Sequence, residues 1–308
     1  MDAILSLEKL HKEYEKVVAV HSIDLKVPRG SVFGLLGPNG AGKTSMIRII
    51  TNITLPDSGK LSFHFQNSKI SDPMNNIGYL PEERGLYPEM KIGEQLKFFA
   101  QMKGLSAAKA HENIQYWLKR FEIEDWANKK AQELSKGMQQ LIQFIVSVIH
   151  DPELLIFDEP FSGLDPINTE RLKKEIVDLS KSGKTIIFST HQMSQVEEIC
   201  NEIALINKGR FILEGELKEI KNRFKKNLFE IKYHGSFPNN EINGFEITIK
   251  EEGHAIVKSL KECSYSNLLK TLSDYVEIYS FTEILPSLNE IFIEQVTLAK
   301  ANKEEEHE

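Results

Sequence analysis

Cysteine is nearly missing: Cys200 and Cys263 are the only two in 308 residues, and they lie in different segments. That excludes a disulfide framework and fits a reducing compartment. Long apolar runs are missing as well. The longest stretch with little charge, Leu141 to Ile149, is far short of the roughly 20 residues that span a bilayer. The opening MDAILSLEKLHKEYEK has no basic start followed by an apolar core, so no signal peptide is expected. Excess positive charge is also lacking. A formal net charge of −7 disfavours a general nucleic-acid binder, which needs a basic surface. No segment repeats at a fixed period, which excludes a solenoid or propeller. What remains is ordinary globular composition, 41% hydrophobic and 27% charged. The length is about twice the roughly 150 residues of one domain, so two domains are expected.

Short β-rich runs come first: Ile4 to Leu10, Val17 to Val27 and Ser31 to Leu36. The last is apolar and enters a glycine-rich turn, GPNGAGKT, followed by the helical pattern SMIRIITNI. Gly59 to Phe65 and Ile77 to Leu80 read as further strands. From Lys91 to about Ala131 helical periodicity takes over, broken at Gly104 and between Glu122 and Asp125 into three expected helices. Another helix is expected at Met138 to His150. Then a buried strand LLIFDE, a helix near Asn168 to Ser180, a strand TIIFST, a helix MSQVEEIC and strands EIALIN and GRFILEG alternate. Such alternation predicts a mostly parallel sheet in an α/β core. Beyond the lysine-rich LKEIKNRFKKN, the segments LFEIKYH, GFEITIK and HAIVKSL alternate as strands do. Helices are expected at Ser266 to Ser273 and SLNEIFIEQVTLA, and a strand at Tyr275 to Phe281. The chain therefore divides into an α/β domain at 1–222 with a helical subdomain at about 88–150, a small α+β domain at 227–300 and an acidic, disordered tail at 301–308.

GPNGAGKT fits a phosphate-binding loop in the context that loop requires, a strand before it and a helix after it. Glycines let successive backbone N–H groups converge on phosphate oxygens, and the helix N-terminus adds dipole and unpaired donors. The candidate nucleotide-binding residues are Gly37, Asn39, Gly40, Ala41, Gly42, Lys43, Thr44 and Ser45. Lys43 is suited to the β- and γ-phosphates and the Thr44 hydroxyl to Mg²⁺. LLIFDEP supplies the other half of a phosphoryl-transfer site. An apolar strand ending in two carboxylates places Asp158 at the C-terminal edge of the sheet, where ligands bind in α/β folds. Asp158 is assigned to Mg²⁺ and Glu159 to polarising the attacking water. The alternative is that both acids merely start a turn before Pro160.

With these two motifs, LSKGMQQ at 134–140, SGLD at 162–165 and STH at 189–191 follow the order and spacing of ABC-type ATPases. Over roughly residues 1–220 the chain resembles that family. The resemblance implies a P-loop ATP-binding domain and ATP and Mg²⁺ as ligands. It also implies a second ATP-binding subunit whose signature faces the γ-phosphate through Ser135 and Gly137. Both residues stand where a strong helix pattern begins, so free N–H groups there could face an anion. Asp165 resembles the loop residue that links the two sites, or else is an N-cap before Pro166. His191 resembles the histidine that contacts the γ-phosphate and orients the water. Tyr14 stands where the family sets an aromatic ring against adenine, or else is an ordinary strand aromatic.

GYLPEERGLYPEMKIGEQL, LSKGMQQ and DEPFSGLDP together resemble bacterial exporter ATPases of the sodium-extrusion type, and PSLNEIFIEQV at 286–296 resembles their small accessory domain, an ending that recurs in drug-export ATPases and fixes no substrate. The resemblance implies a separate polytopic permease, a place at the cytoplasmic side of the membrane and no nucleic-acid partner. Glu83 to Pro88 either receive a helix of the permease or form an exposed loop. Two departures stand out. Where most members carry a Gln touching Mg²⁺, this chain has Glu82, also a candidate metal ligand; and its signature carries Lys136 and Met138. Lys136 is expected to offset Glu82 in a closed dimer. A soluble ABC ATPase acting on ribosomes or DNA is the competing reading. A single phosphate loop, and no sustained heptads between Lys43 and Asp158, argue against it.

Overall fold

A computed structural model describes residues 2–66, 72–83, 85–236, 245–260 and 265–305. The chain divides into two compact units, Met1–Leu217 and Lys218–Glu308. In the first, β1 (Ala3–Tyr14), β2 (Val17–Pro28) and β4 (Ser58–Phe63) make a three-stranded antiparallel sheet in the order β2-β1-β4. The strand β3 (Val32–Leu36) leads into α1 (Lys43–Ile50) and belongs to a six-stranded sheet. Its other members are β5 (Ile77–Leu80), β6 (Leu154–Asp158), β7 (Thr185–Thr190), β8 (Glu202–Asn207) and β9 (Arg210–Glu216). The order is β5-β6-β7-β3-β8-β9, parallel except for the β8–β9 pair. Every residue of β3, β6 and β7 is buried. That is why these segments read as unbroken apolar runs rather than alternating ones.

The helical stretch holds α2 (Ile92–Met102), α3 (Ala107–Arg120) and α4 (Lys136–Val148), with short 3₁₀ turns at Glu124–Asn128 and Ala131–Glu133. Only two α-helices lie between Lys91 and Ala131, against the three expected. Gly104 and Glu122 adopt left-handed backbone, at φ +88° and +54°, and the chain beyond Glu122 winds only into 3₁₀ turns. Two helices begin earlier than their apolar periodicity suggests, because capping residues set their starts. Ser135 accepts from Met138 N at the head of α4. Asp165 accepts from Ile167 N and Asn168 N at the head of α5 (Pro166–Lys181), with Pro166 in the first turn. A relay of rings, Trp117 to Phe121 (6.2 Å), Phe121 to Phe144 (5.8 Å) and Phe144 to Phe157 (5.4 Å), packs α3 and α4 onto β6. The helical insertion thus rests on the strand that ends in Asp158. The helix α6 (Met193–Ile199) follows β7.

The second unit contains α7 (Leu217–Arg223), β10 (Leu228–His234), β11 (Phe245–Glu251), β12 (His254–Ser259), α8 (Tyr265–Ser273), β13 (Glu277–Ile284) and α9 (Leu288–Glu305). Its sheet is antiparallel in the order β11-β12-β10-β13. One face is packed: Phe229, Ile231 and Tyr233 of β10 alternate inward and meet Leu268 and Leu272 of α8. Phe229 and Phe281 stack at 5.3 Å. The helix α9 runs to Glu305, into the stretch expected to be a disordered tail. The stretch AKANKEE holds no Gly, Pro or β-branched residue, so nothing in it stops the helix begun by SLNEIFIEQV; residues 306–308, like Cys263, lie outside the described residues. No helix among the described residues is long and apolar enough to cross a membrane.

Candidate functional site

Strand order assembles the site. The phosphate-loop strand β3 and the acid-bearing strand β6 both pair with β7, so the end of β7 lies between them. Asp158 is opposite Ser189, and Leu36 is opposite Thr190. The loop after β3 is glycine-rich by steric necessity. A Cβ on Gly37 would sit 2.2 Å from Ile206 O, and one on Gly42 2.2 Å from Ala19 O. Both glycines also hold positive φ, 155° and 112°. Lys43 folds back over this loop, donating from Nζ to Gly37 O at 2.7 Å and Pro38 O at 3.1 Å. Burial pushes its ammonium below the usual lysine range, against the pull of the Glu159, Asp158 and Glu82 carboxylates.

Asp158 is 1% exposed. Burial raises its carboxyl above the usual range, opposed by the hydrogen bond from Ser189 and by the influence of the Thr44 hydroxyl. Ser189 Oγ donates to Oδ1. Oδ2 is buried and, among the described residues, has no partner. Such an orphaned carboxylate oxygen beside a hydroxyl offers the oxygen ligands a hard divalent cation takes. The residues Thr44, Asp158 and the nearby Glu82 therefore fit Mg²⁺. The same acids act on Tyr79, whose phenol burial and the Asp158 charge push up to about 12.

Glu159 leaves the strand in left-handed backbone, at φ +49°, a conformation that costs a non-glycine residue about 1–2 kcal/mol. Its carboxylate is held by three donors. Thr190 Oγ1 reaches Oε2 at 3.0 Å; His191 N and Nδ1 reach Oε1 at 3.0 and 2.7 Å. Oε2 retains an acceptor position for a water. Glu82, Glu159 and His191 line one cavity of about 530 Å³ with the Ser162–Leu164 loop.

The structure thus brings the loop residues 37–45, Asp158, Glu159, His191 and Glu82 to one place. Ser135, Gly137 and Asp165 form a second cluster. The hydrogen bonds of Ser135 and Asp165 run to their own helix starts, and Gly137 packs so closely on Gly163 that a Cβ would lie 2.9 Å from Gly163 O. Tyr14 ends β1, is 40% exposed, and carries Lys12 Nζ 5.2 Å from its ring centre. The STH motif contains Ser189 and Thr190, but on sequence grounds a role falls only to His191. Their signal is present all the same: two hydroxyls directly before His191, on a strand that pairs with the acid strand.

A strand–loop–helix phosphate cradle beside a strand ending in Asp-Glu, in a mostly parallel sheet, defines a P-loop nucleotide-hydrolysing α/β fold. A family model described as ABC transporter matches residues 20–162, and one described as ATP-binding protein DrrA1-3-like, C-terminal domain, matches residues 215–296. The uncharacterized ABC transporter ATP-binding protein YhaQ of Bacillus subtilis is 42% identical over 299 residues, 95% of this chain and 98% of that protein. The Nod factor export ATP-binding protein I of Cupriavidus pinatubonensis is 38% identical over 218 residues, 70% of this chain and 67% of that protein. A solved structure of an ATP-binding subunit of an ABC transporter superposes with a TM-score of 0.66 at 29% identity, over 72% of this chain and 93% of that one. The chain belongs to the ABC transporter ATP-binding protein family, ATPases whose hydrolysis is coupled to transport.

Proposed function

We propose that this chain is the ATP-hydrolysing subunit of an exporter. Two such subunits close on two ATP molecules and drive a separate polytopic permease, from the cytoplasmic side of the membrane, between two states. The observation that carries the reading is the convergence of Lys43, Asp158, Glu159 and His191 at the C-terminal ends of β3, β6 and β7. Loop amides and Lys43 bind the β- and γ-phosphates, and Tyr14 offers its ring to the adenine. Thr44, Asp158 and Glu82 hold Mg²⁺, which when bound neutralises charge on the phosphates. Glu159 takes a hydrogen bond from the attacking water at its remaining acceptor position while Thr190 and His191 fix its direction. With Nδ1–H committed to Glu159, Nε2 is the ring atom of His191 left to meet a phosphate.

The second cluster supports the two-subunit part. Ser135 and Gly137 stand at an exposed helix start whose own hydrogen bonds do not reach the chain's own loop, so its free amides suit a nucleotide held by another copy. A separate cavity of about 480 Å³, bordered by Pro81, Gly85, Leu86 and Phe99, supports permease docking next to Glu83 to Pro88; Arg84 lies outside the described residues. Both amide atoms of Gln143 are buried there without a partner among the described residues, and a docked segment supplies one. Export is the function named for the Cupriavidus relative.

The test is the Glu159→Gln protein with ATP and Mg²⁺ on a sizing column. It is expected to bind ATP, hydrolyse it about 10³-fold more slowly and elute as a dimer. A variant that binds ATP yet stays monomeric contradicts two-subunit closure.

A further inference from the structure

Two opposite charges near the site form no ion pair among the described residues. Lys136 opens α4, directly after its cap Ser135, and no acidic residue follows in the first turn. A helix start is the positive end of the backbone dipole, so a cation there is disfavoured unless an anion from outside meets it. Lys136 is exposed and, among the described residues, forms no ion pair. On the other side stands Glu82, just past β5, likewise exposed and without an ion pair among the described residues. Its carboxylate acts on Lys43 together with those of Asp158 and Glu159. Three carboxylates therefore act on one lysine, one of them with a buried oxygen that has no partner among the described residues. The nucleotide adds further negative charge, which Mg²⁺ offsets only in part. Closing two copies on such a site concentrates negative charge at the interface, which opposes closure unless the facing surface is positive.

We propose that Lys136 of a second copy of this chain supplies the countercharge to Glu82, so that closure is completed by one Lys136–Glu82 pair at each of the two sites. The inference rests on the two-subunit reading above and goes beyond it, because it names which side chains make closure electrostatically permissible. A two-fold interface is self-complementary, so a single pair of residues acts twice. The placement of Lys136 fits. Its Cβ lies 3.9 Å from where a Cβ on Gly163 would sit, and Gly163 belongs to the loop that walls the cavity shared by Glu82, Glu159 and His191. The lysine thus sits exposed at the rim of one site, beside the signature amides proposed to meet the other copy. The pairing also explains why two departures, an acid at position 82 and a lysine inside the signature, occur in one chain.

The experiment uses the full chain carrying Glu159→Gln and measures, by sedimentation velocity, the ATP concentration that half-converts monomer to dimer. Adding Lys136→Glu or Glu82→Lys is expected to raise that concentration at least about 10-fold; combining them is expected to restore part of it, because Glu82→Lys also takes a carboxylate away from Mg²⁺, so that the double variant dimerises more readily than Glu82→Lys alone. Affinity of the monomer for a fluorescent ATP analogue is expected to be unchanged by Lys136→Glu. Raising KCl is expected to weaken the parent dimer more than a Glu82→Gln/Lys136→Gln dimer. Losses that add in the double variant, or an unchanged dimerisation, overturn the pair. So does a Lys136→Glu effect confined to the monomer's nucleotide affinity, which marks a pair within one chain. A Glu159→Gln parent that binds ATP but never dimerises removes the two-subunit reading itself, a failure distinguishable from these.

Discussion

The two sheets that carry the two units' cores are built on opposite terms. The six-stranded sheet buries every residue of β3, β6 and β7, and its strand ends carry chemistry at fixed positions. The four-stranded sheet buries alternate residues of β10 and β12, and many sequences of the same alternation would pack as well. In the first, backbone must approach backbone, and the approach leaves a residue-level mark such as a glycine at 37 or 42. In the second, only size and polarity are constrained. A site that reads phosphates with main-chain amides is therefore visible letter by letter, whereas a packing domain is visible only as a pattern.

The contrast is tested most severely by removing chemistry from one sheet and bulk from the other. Lys43→Ala is expected to weaken nucleotide binding at least about 100-fold, measured by titration with a fluorescent ATP analogue, while leaving the fold intact. Phe229→Ala, which removes the ring stacked on Phe281, is expected to destabilise the second unit by about 3–5 kcal/mol in urea unfolding. ATP hydrolysis by the folded protein should stay unchanged, and its loss would show that the second unit takes part in the site.

A somewhat smaller effect is expected on the pH dependence of the first unit. His150 is buried there, and burial, with Lys103 nearby, pushes its imidazole down to about 4. The folded state keeps it neutral while the unfolded state protonates below its ordinary value of 6.5. Stability is therefore complete above that value and falls as pH drops toward 4, by about 3 kcal/mol in total. His150→Asn should remove that portion of the acid-side loss, read as urea midpoints at pH 7 and 4.5.

The smallest expected difference separates two glycines, one from each unit. Gly42→Ala drives a Cβ to 2.2 Å from a backbone oxygen at φ +112°, and should cost more than about 2 kcal/mol. Gly253→Ala, at φ +74° with its nearest neighbour at 3.4 Å, should cost only about 1 kcal/mol. Equal costs in urea unfolding would contradict the selection of the loop glycines by close backbone approach.

Much of the fold is legible for the same physical reasons. Unbroken apolar runs mark the central strands, and GPNGAGKT marks the strand–loop–helix because Gly37 and Gly42 each answer a close contact. Periodicity places the helix starts after Ser135 and Asp165 two residues late, since it sees the apolar face and not the cap. The segment after Arg120 forms 3₁₀ turns, which carry no apolar period of their own. Within the site, Asp158, Glu159 and His191 are assigned roles through their motifs, whereas Ser189 and Thr190, though inside the STH string, are not. Their role depends on β7 lying between β3 and β6, and strand order is not written in any local string. The Gln143 amide is hidden for a similar reason: nothing in QQLIQFIVSVIH distinguishes a glutamine facing a cavity from one facing solvent.

The measurement that bears most directly on the proposed role is affinity purification of this chain from gently solubilised native membranes, followed by identification of its companions. The expected result is a polytopic membrane protein in near-equal amount. Ribosomal or DNA-associated proteins in its place, with the chain absent from the membrane fraction, would contradict the proposed role.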